Sequence, residues 1–352
     1  VYHPGPQVMN SWWRQVFARL QHEPGTPPAA VGWRVLATML AWCYGLGARG
    51  RRWLYDSRWR KAQRLTCGVI SIGNLTVGGT GKTPLVIFLA RRLQEQGRRV
   101  AILSRGYGSP ASGPQVISDG EKIFCQPPQA GDEPYLLARQ LPGIPVLTGA
   151  SRYAAGLVAE ARFQPELVLL DDGFQHFQLH RDLDLVTYDG AVTKKFLHMF
   201  PYGLLREPMQ SLKRADVIVI TRANFAPDLS EVRRRLGRIN PQAVLFHAQF
   251  GCGDLVGRDR RLPVKYIEDK SVFLFAGVGN FKPLRRQVQA LAGDLDYALE
   301  LSDHQEYDEG LLELIKRRVD ECDSDVIVTT GKDWVKLGGF DFGRETCYLA
   351  QT

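Results

Sequence analysis

Cys67-Gly68-Val69-Ile70-Ser71-Ile72-Gly73-Asn74-Leu75-Thr76-Val77-Gly78-Gly79-Thr80-Gly81-Lys82-Thr83-Pro84 reads as a buried strand, a glycine-rich turn and the start of a helix. That order is what a phosphate cradle requires. Glycines let backbone N–H groups approach an anion at a helix N-terminus, where the helix dipole also favours negative charge. In such a loop a nucleotide rests on Thr76, Val77, Gly78, Gly79, Thr80, Gly81, Lys82 and Thr83, with Lys82 reaching the β- and γ-phosphates and Thr83 binding Mg2+. The pattern G-x-x-x-x-G-K-[ST] fails at its first position, where Thr76 stands, and Gly78 and Gly79 supply the missing freedom.

Outward from this loop, short apolar runs alternate with amphipathic segments. Strands are expected near 67–72, 99–104, 145–147, 166–170, 183–188, 216–221, 243–249, 271–275, 297–301 and 325–330. Helices are expected near 83–96, 132–141, 151–163, 228–238, 282–292 and 308–320. Such alternation implies parallel pairing through crossover helices, so the fold class is α/β: a P-loop, doubly wound, mostly parallel sheet with a second, smaller α/β domain. A chain of 352 residues accommodates both. The expected division is an N-terminal basic and apolar segment over 1–64, a P-loop domain over 65–240, and a second α/β domain over 241–352 that completes the cleft. Within the P-loop domain, Glu166-Leu167-Val168-Leu169-Leu170-Asp171-Asp172 is an apolar strand ending in two carboxylates. Carboxylates so placed beside a P-loop hold a metal shell or position a nucleophile, although a buried strand ending in solvated aspartates has the same pattern. Asp189, after Leu183–Tyr188, presents a single carboxylate in a similar way.

The composition, 44% hydrophobic and 23% charged, is that of a globular protein and excludes a disordered chain. The formal charge of +8 is more informative once located: the first 64 residues hold ten of the 45 Lys and Arg but two of the 37 Asp and Glu. The whole excess is therefore N-terminal, an anchor on a neutral body rather than a basic groove for nucleic acid. Residues 31–48 (VGWRVLATMLAWCYGLGA) carry one charge, Arg34, and lead into a basic run from Arg49 to Arg64. This stretch is marginal against the roughly 20 apolar residues that a bilayer core requires. Trp33, Trp42, Tyr44, Trp53, Tyr55 and Trp59 suit the headgroup level, so a membrane-associated interfacial helix is expected, with a single span and an ordinary core helix as alternatives. The six cysteines lack C-x-x-C or Cys/His ligand spacing and read as reduced and structural.

Seven motifs occur in order: GNLTVGGTGKTP (73–84), SRGYG (104–108), GDEP (131–134), DDGFQH (171–176), LREP (205–208), DHQEY (303–307) and TGKDWVK (330–336). Together they resemble the tetraacyldisaccharide 4'-kinase family, the lipid A 4'-kinases of Gram-negative bacteria, over roughly residues 31–350. The resemblance implies transfer of the ATP γ-phosphoryl group to the 4'-hydroxyl of a tetraacylated glucosamine disaccharide 1-phosphate, with Mg2+, at the cytoplasmic face of the inner membrane. The implied partners are that lipid A precursor and the membrane surface, with neither a nucleic acid nor an obligate protein partner.

Carried over by position, the resemblance implies that Asp132 is the catalytic base, that His304 supports it and that Lys82 acts on the phosphates. Thr83, Asp171, Asp172 and Glu133 match metal positions; Tyr107, Arg152, His176, Arg206 and Glu207 match substrate positions. By residue type alone Asp132 fits equally a helix N-cap ahead of Pro134, and His176 a structural histidine. TGKDWVK carries no role that its residues assign, and Gly331 stands where the family pattern leads one to expect glutamate. Two other readings stay open. A membrane-associated P-loop switch of the ParA-like or metal-delivery type would be expected to show a lysine at Val77 or a Cys/His cluster. A nucleic-acid regulator would use 49–64 as a basic arm, with Trp53, Tyr55 and Trp59 as stacking surfaces.

Overall fold

The computed structural model describes residues 28–57, 59–106, 113–193, 196–249, 251–278, 281–302 and 305–351. Tyr107 and His304 lie outside the described residues, as does everything before Pro28. The chain divides into two compact units, with the boundary between Phe250 and Gly251.

The first unit is organised by eight strands: β1 (Gly68–Asn74), β2 (Val100–Ser104), β3 (Gln115–Ser118), β4 (Val146–Thr148), β5 (Leu167–Asp171), β6 (Leu183–Asp189), β7 (Val217–Thr221) and β8 (Val244–His247). They lie in the order β3-β4-β2-β5-β1-β6-β7-β8. Every neighbouring pair is parallel except β3 with β4, which is antiparallel. The helices are α1 (Pro28–Asp56), α2 (Lys82–Glu95), α3 (Pro127–Ala130), α4 (Asp132–Gln140), α5 (Arg152–Phe163) and α6 (Leu229–Ile239). Burial on both faces explains the near-continuous apolar runs in the central strands. One face packs Val69, Leu103, Val168 and Leu170 on Ala155 and Ala159 of α5. The same face continues through Val186, Ile218 and Ile220, which pack with Val232 and Leu236 of α6, since Val186 pairs in register with Gly73 and with Ile218. Ser151 caps α5 by accepting from the Ala154 N–H at 3.2 Å, and Asp228 caps α6 by accepting from Glu231 at 2.9 Å.

The chain leaves β1 for β2 by stepping past β5, then returns through β5 and moves to β6 on the other side of β1. This reversal makes the C-terminal ends of β1 and β5 a topological switch point, where open α/β sheets bind ligands. The loops of residues 75–81 and 172–182 both emerge there.

The second unit holds β9 (Cys252–Val256), β10 (Arg261–Leu262), β11 (Ser271–Ala276), β12 (Asp294–Glu300), β13 (Val326–Thr329) and β14 (Glu345–Gln351), in the order β10-β9-β14-β13-β11-β12. Its helices are α7 (Phe281–Leu291), α8 (Glu309–Cys322) and α9 (Gly331–Trp334). The parallel part, β12-β11-β13-β14, continues into an antiparallel edge through β9 and β10.

Helix α1 is longer than the apolar stretch that signals it. It continues through Gly45, Gly47 and Gly50 into the arginines, so apolar and basic parts form one rod. Small residues are turned inward: Ala37 and Ala41 are buried, and a Cβ on Gly45 would lie 3.7 Å from Met199. Bulky ones point out, with Met39 62% and Trp42 68% exposed. No helix among the described residues is long and apolar enough to cross a membrane, because Arg49, Arg51 and Arg52 end the apolar part within α1. The single-span alternative therefore has no helix among them to carry it.

Candidate active site

The turn after β1 is held open by its neighbours. Asn74 Nδ2 donates to Thr80 Oγ1 at 2.8 Å, and that hydroxyl meets Thr187 Oγ1 at 2.7 Å. Thr221 Oγ1 donates to the Thr80 carbonyl at 2.8 Å, Arg222 donates to the Gly79 carbonyl at 2.8 Å, and the Val77 N–H donates to the Leu204 carbonyl at 2.8 Å. Asp189 forms an ion pair with Arg222, so its carboxylate steadies the loop through that guanidinium. Gly78 and Gly81 take φ of 104° and 80°, a conformation that a side chain would strain. Gly81 is also the N-cap of α2 and makes no side-chain cap, so the first-turn N–H groups at Lys82 and Thr83 have no capping side chain from that position.

The two strand ends fit backbone to backbone. A Cβ on Gly73 would lie 2.7 Å from the Phe174 backbone nitrogen, and one on Gly173 would lie 2.8 Å from Ser71 Oγ. This contact brings Asp171 and Asp172 beside the loop. Asp172 has φ of 55° and turns out of the strand line, placing Oδ1 3.4 Å from Lys82 Nζ while Arg206 donates to both of its oxygens at 3.1 and 2.8 Å. Burial opposes ionisation of Asp172, but Lys82 and Arg206 outweigh it and hold the carboxyl down at about 2.

Asp171 is 1% exposed and differs sharply from its neighbour. Burial, then the charges of Glu133 and Asp172, push its carboxyl up to about 7 against the opposing influence of Lys82 and Ser104. Its Oδ2 accepts from Ser104 at 3.3 Å, and its Oδ1 has no hydrogen-bond partner among the described residues.

Asp132 and Glu133 open α4 behind Gly131, whose φ of 83° makes it the N-cap. Asp132 is thus the first helical residue rather than the cap. Arg152 is almost fully buried, and its Nε has no partner among the described residues; burial, then Arg105, lowers its guanidinium to about 10, against the two aspartates. His176 also has a buried Nε2 with no partner among the described residues, and burial followed by Arg152, Arg181, Arg51 and Arg105 drives its imidazole down to about 4. It is neutral at physiological pH and set among cations.

Glu207 is committed elsewhere. Arg214 grips both of its oxygens, at 2.9 and 3.1 Å, and stacks over Phe174 at 4.2 Å from the ring centroid. Its carboxylate therefore fastens the LREP segment to the DDGFQH segment. Arg206 and Glu207 also bear on Tyr44 of α1, whose hydroxyl pKa is raised by burial first and by Glu207, against Arg206 and Arg51. Tyr55 packs on Phe177 at 5.7 Å, and Arg51 lies over the same ring at 5.8 Å, so the C-terminal half of α1 is seated beside the site.

The structure thus brings together Lys82, Thr83, Asp171, Asp172, Glu133, Arg152, His176 and Arg206. Sequence reasoning missed Ser104, Arg105, Thr187, Arg214, Thr221 and Arg222. Their signal was weak because each acts across a long separation, such as the 143 residues between Arg222 and Gly79. Only the SRGYG motif flagged two of them.

A parallel sheet whose first strand runs into a glycine-rich Gly-Lys-Thr turn, with a second strand end supplying carboxylates beside the lysine, defines a P-loop enzyme of the phosphoryl-transfer class. The sequence model of the tetraacyldisaccharide-1-P 4'-kinases matches residues 33–351, and the chain belongs to that family. Among its relatives, a tetraacyldisaccharide 4'-kinase of Syntrophus aciditrophicus is 35% identical, over 96% of this chain and 93% of the relative. Another, of Geobacter metallireducens, is 39% identical over 86% and 88%. The crystal structure of an "apo" form LpxK from Aquifex aeolicus in complex with ATP superposes with a TM-score of 0.73 at 31% identity, covering 91% of this chain and 94% of that one. Family membership decides among the open readings in favour of a kinase.

Proposed function

We propose that the chain is an ATP-dependent lipid kinase that phosphorylates the 4'-hydroxyl of a tetraacyl glucosamine disaccharide 1-phosphate. The observation that carries this reading is the seat of α1. A helix with outward-facing Met39 and Trp42 reaches, through Tyr44, the arginine that holds the carboxylate beside the P-loop lysine. Acceptor lipid is thereby brought to the phosphate end of the sheet. In this reading α1 lies in the interface of the cytoplasmic leaflet, its arginines on anionic headgroups.

The loop N–H groups and Lys82 hold the β- and γ-phosphates of ATP, the nucleotide with which the Aquifex relative was crystallised. Arg206 and Asp172 fix Lys82 in place, so its charge needs no reorganisation as charge develops on the transferring group. Asp132 accepts the proton of the 4'-hydroxyl; that oxygen bonds to the γ-phosphorus, the bond to the β–γ bridging oxygen breaks, and ADP leaves. Arg152 and the neutral His176, whose Nε and Nε2 have no partner among the described residues, suit an incoming phosphate oxygen.

Mg2+ fits the donor set. Asp171 Oδ1 is buried without a partner among the described residues, beside carboxylates that crowd one another, an arrangement that a cation relieves. Thr83 and Asp171 would hold it, with Asp172 and Glu133 alongside, and when bound it neutralises charge on the phosphate oxygens.

The test is transfer of label from γ-labelled ATP to the tetraacyldisaccharide 1-phosphate. Wild type should label the lipid, and Asp132→Ala should reduce turnover by about 10²- to 10⁴-fold while retaining ATP binding. ATP hydrolysis with no labelled lipid would overturn the reading.

A further inference from the structure

No motif assigns a role to residues 196–204, which join α1 to the phosphate loop and are folded on themselves by backbone hydrogen bonds. The Leu204 N–H donates to the Phe196 carbonyl at 3.0 Å, that of Gly203 to Met199 at 2.8 Å, that of Leu205 to His198 at 2.8 Å and that of Phe200 to Leu205 at 2.8 Å. Gly203 permits the turn, since a Cβ there would lie 2.7 Å from His198 Cα.

One side of this segment meets α1. The Phe200 ring stands edge-on to Tyr44, centroids 5.8 Å apart, and Met199 comes against Gly45, where a Cβ would lie 3.7 Å from the Met199 Cε. The other side is joined to the phosphate loop. The Val77 N–H donates to the Leu204 carbonyl at 2.8 Å and the Arg206 N–H donates to the Leu75 carbonyl at 2.7 Å, so residues 204–206 run antiparallel to 75–77 about a Thr76–Leu205 bridge. Leu205 is 3% exposed and shares a core with Leu75, against which Leu197 and Met199 also pack. The Arg206 side chain then grips Asp172, which pairs with Lys82. A ladder of two hydrogen bonds is marginal alone and holds only while the surface behind it stays packed. Behind this ladder stands α1.

We propose that Tyr44 and Phe200 are positioning residues for the phosphate loop, so that α1 sets nucleotide affinity as well as meeting lipid. The ring pair presses the 196–206 segment against residues 75–77 and keeps Arg206 on Asp172. Without it the loop and Lys82 lose their register, and the loss falls on ATP whether or not an acceptor is present. The proposal rests on residues 76–83 being the nucleotide site and is indifferent to the acceptor.

Binding of ATP with Mg2+ to the full chain in nonionic detergent micelles, with no acceptor lipid, tests it. Tyr44→Ala should weaken ATP binding about tenfold, as for a loop correctly seated one-tenth of the time. Phe200→Ala should do the same, and the two together should cost little more than either, because both remove one contact. Tyr44→Phe should restore affinity, since the ring and not the hydroxyl packs on Phe200. Leu46→Ala, at a position of the same helix that is 56% exposed, should leave affinity at the wild-type value. If Tyr44→Ala binds ATP as wild type does and slows only transfer to lipid, the positioning role is overturned while the kinase reading stands. Additive losses from Tyr44→Ala and Phe200→Ala, or an equal loss from Leu46→Ala, would overturn it too. If wild type binds no ATP, the assignment of the loop falls, and the positioning role with it.

Discussion

Asp171 and Asp333 are both buried carboxylates at the C-terminal end of a parallel sheet, and their surroundings are opposite. Asp333 is met by a tyrosine, a threonine and a backbone N–H. Asp171 has a single long bond from Ser104, a bare Oδ1, and other carboxylates for neighbours. A fold that satisfies a buried charge is using it to hold the chain to itself. One that leaves a buried oxygen bare, beside a lysine and an open glycine turn, keeps it for something the chain does not supply. The same contrast separates two other site residues: Glu207, gripped by Arg214, and Arg152, whose Nε has no partner among the described residues.

Substitutions test this contrast directly. The largest loss of activity is expected from Lys82→Ala, about 10³-fold in kcat with little change in melting temperature, because the lysine serves the transferring phosphate more than the fold. Asp171→Asn should cost about 10²-fold in kcat/KM and yet raise stability in the absence of nucleotide at pH 8. The sign follows from protonation. Folding raises the Asp171 carboxyl from 3.8 to about 7, so its contribution is fully present below 3.8, declines as the pH rises, and is lost above about 7. Melting scans from pH 4 to 8 should show the wild type losing ground against Asp171→Asn across that window; parallel curves would refute it.

Asp333→Ala should do the reverse, lowering unfolding free energy by about 3 kcal/mol in chemical denaturation, since it strands the Tyr307 hydroxyl and the Gly277 N–H. The smallest effect is expected from Glu133→Gln. Removing the charge that helps to hold the Asp171 carboxyl up should move the acidic limb of kcat/KM to lower pH. A limb that stays in place would mean that Asp171 does not limit activity on that side.

The main sheet was legible because two-sided burial writes itself as apolar runs, and the P-loop because its glycines and lysine are contiguous. Edge strands were not. β3 is four residues with two only half buried, and β9 contains Gly253 and Asp254, so neither shows a clean pattern. The full length of α1 was hidden by Gly45, Gly47 and Gly50, which read as breaks although Gly45 is a contact with Met199. Of the site, the named motifs marked the carboxylates and the lysine. They did not reveal that Asp171 and Asp172 would be pushed in opposite directions, because burial and then Glu133 raise the one while Lys82 and then Arg206 lower the other, and these groups are distant in sequence.

The phosphate loop also bears on engineering. Its carbonyls at Gly79 and Thr80 are held by Arg222 and Thr221, its Val77 amide by Leu204, and its Thr80 hydroxyl by Asn74 and Thr187. The eight residues 76–83 are therefore no portable cassette. A graft that carries them into another scaffold must bring the ends of β6 and β7 as well, and a chimera that exchanges β7 alone should lose nucleotide affinity with its loop sequence intact.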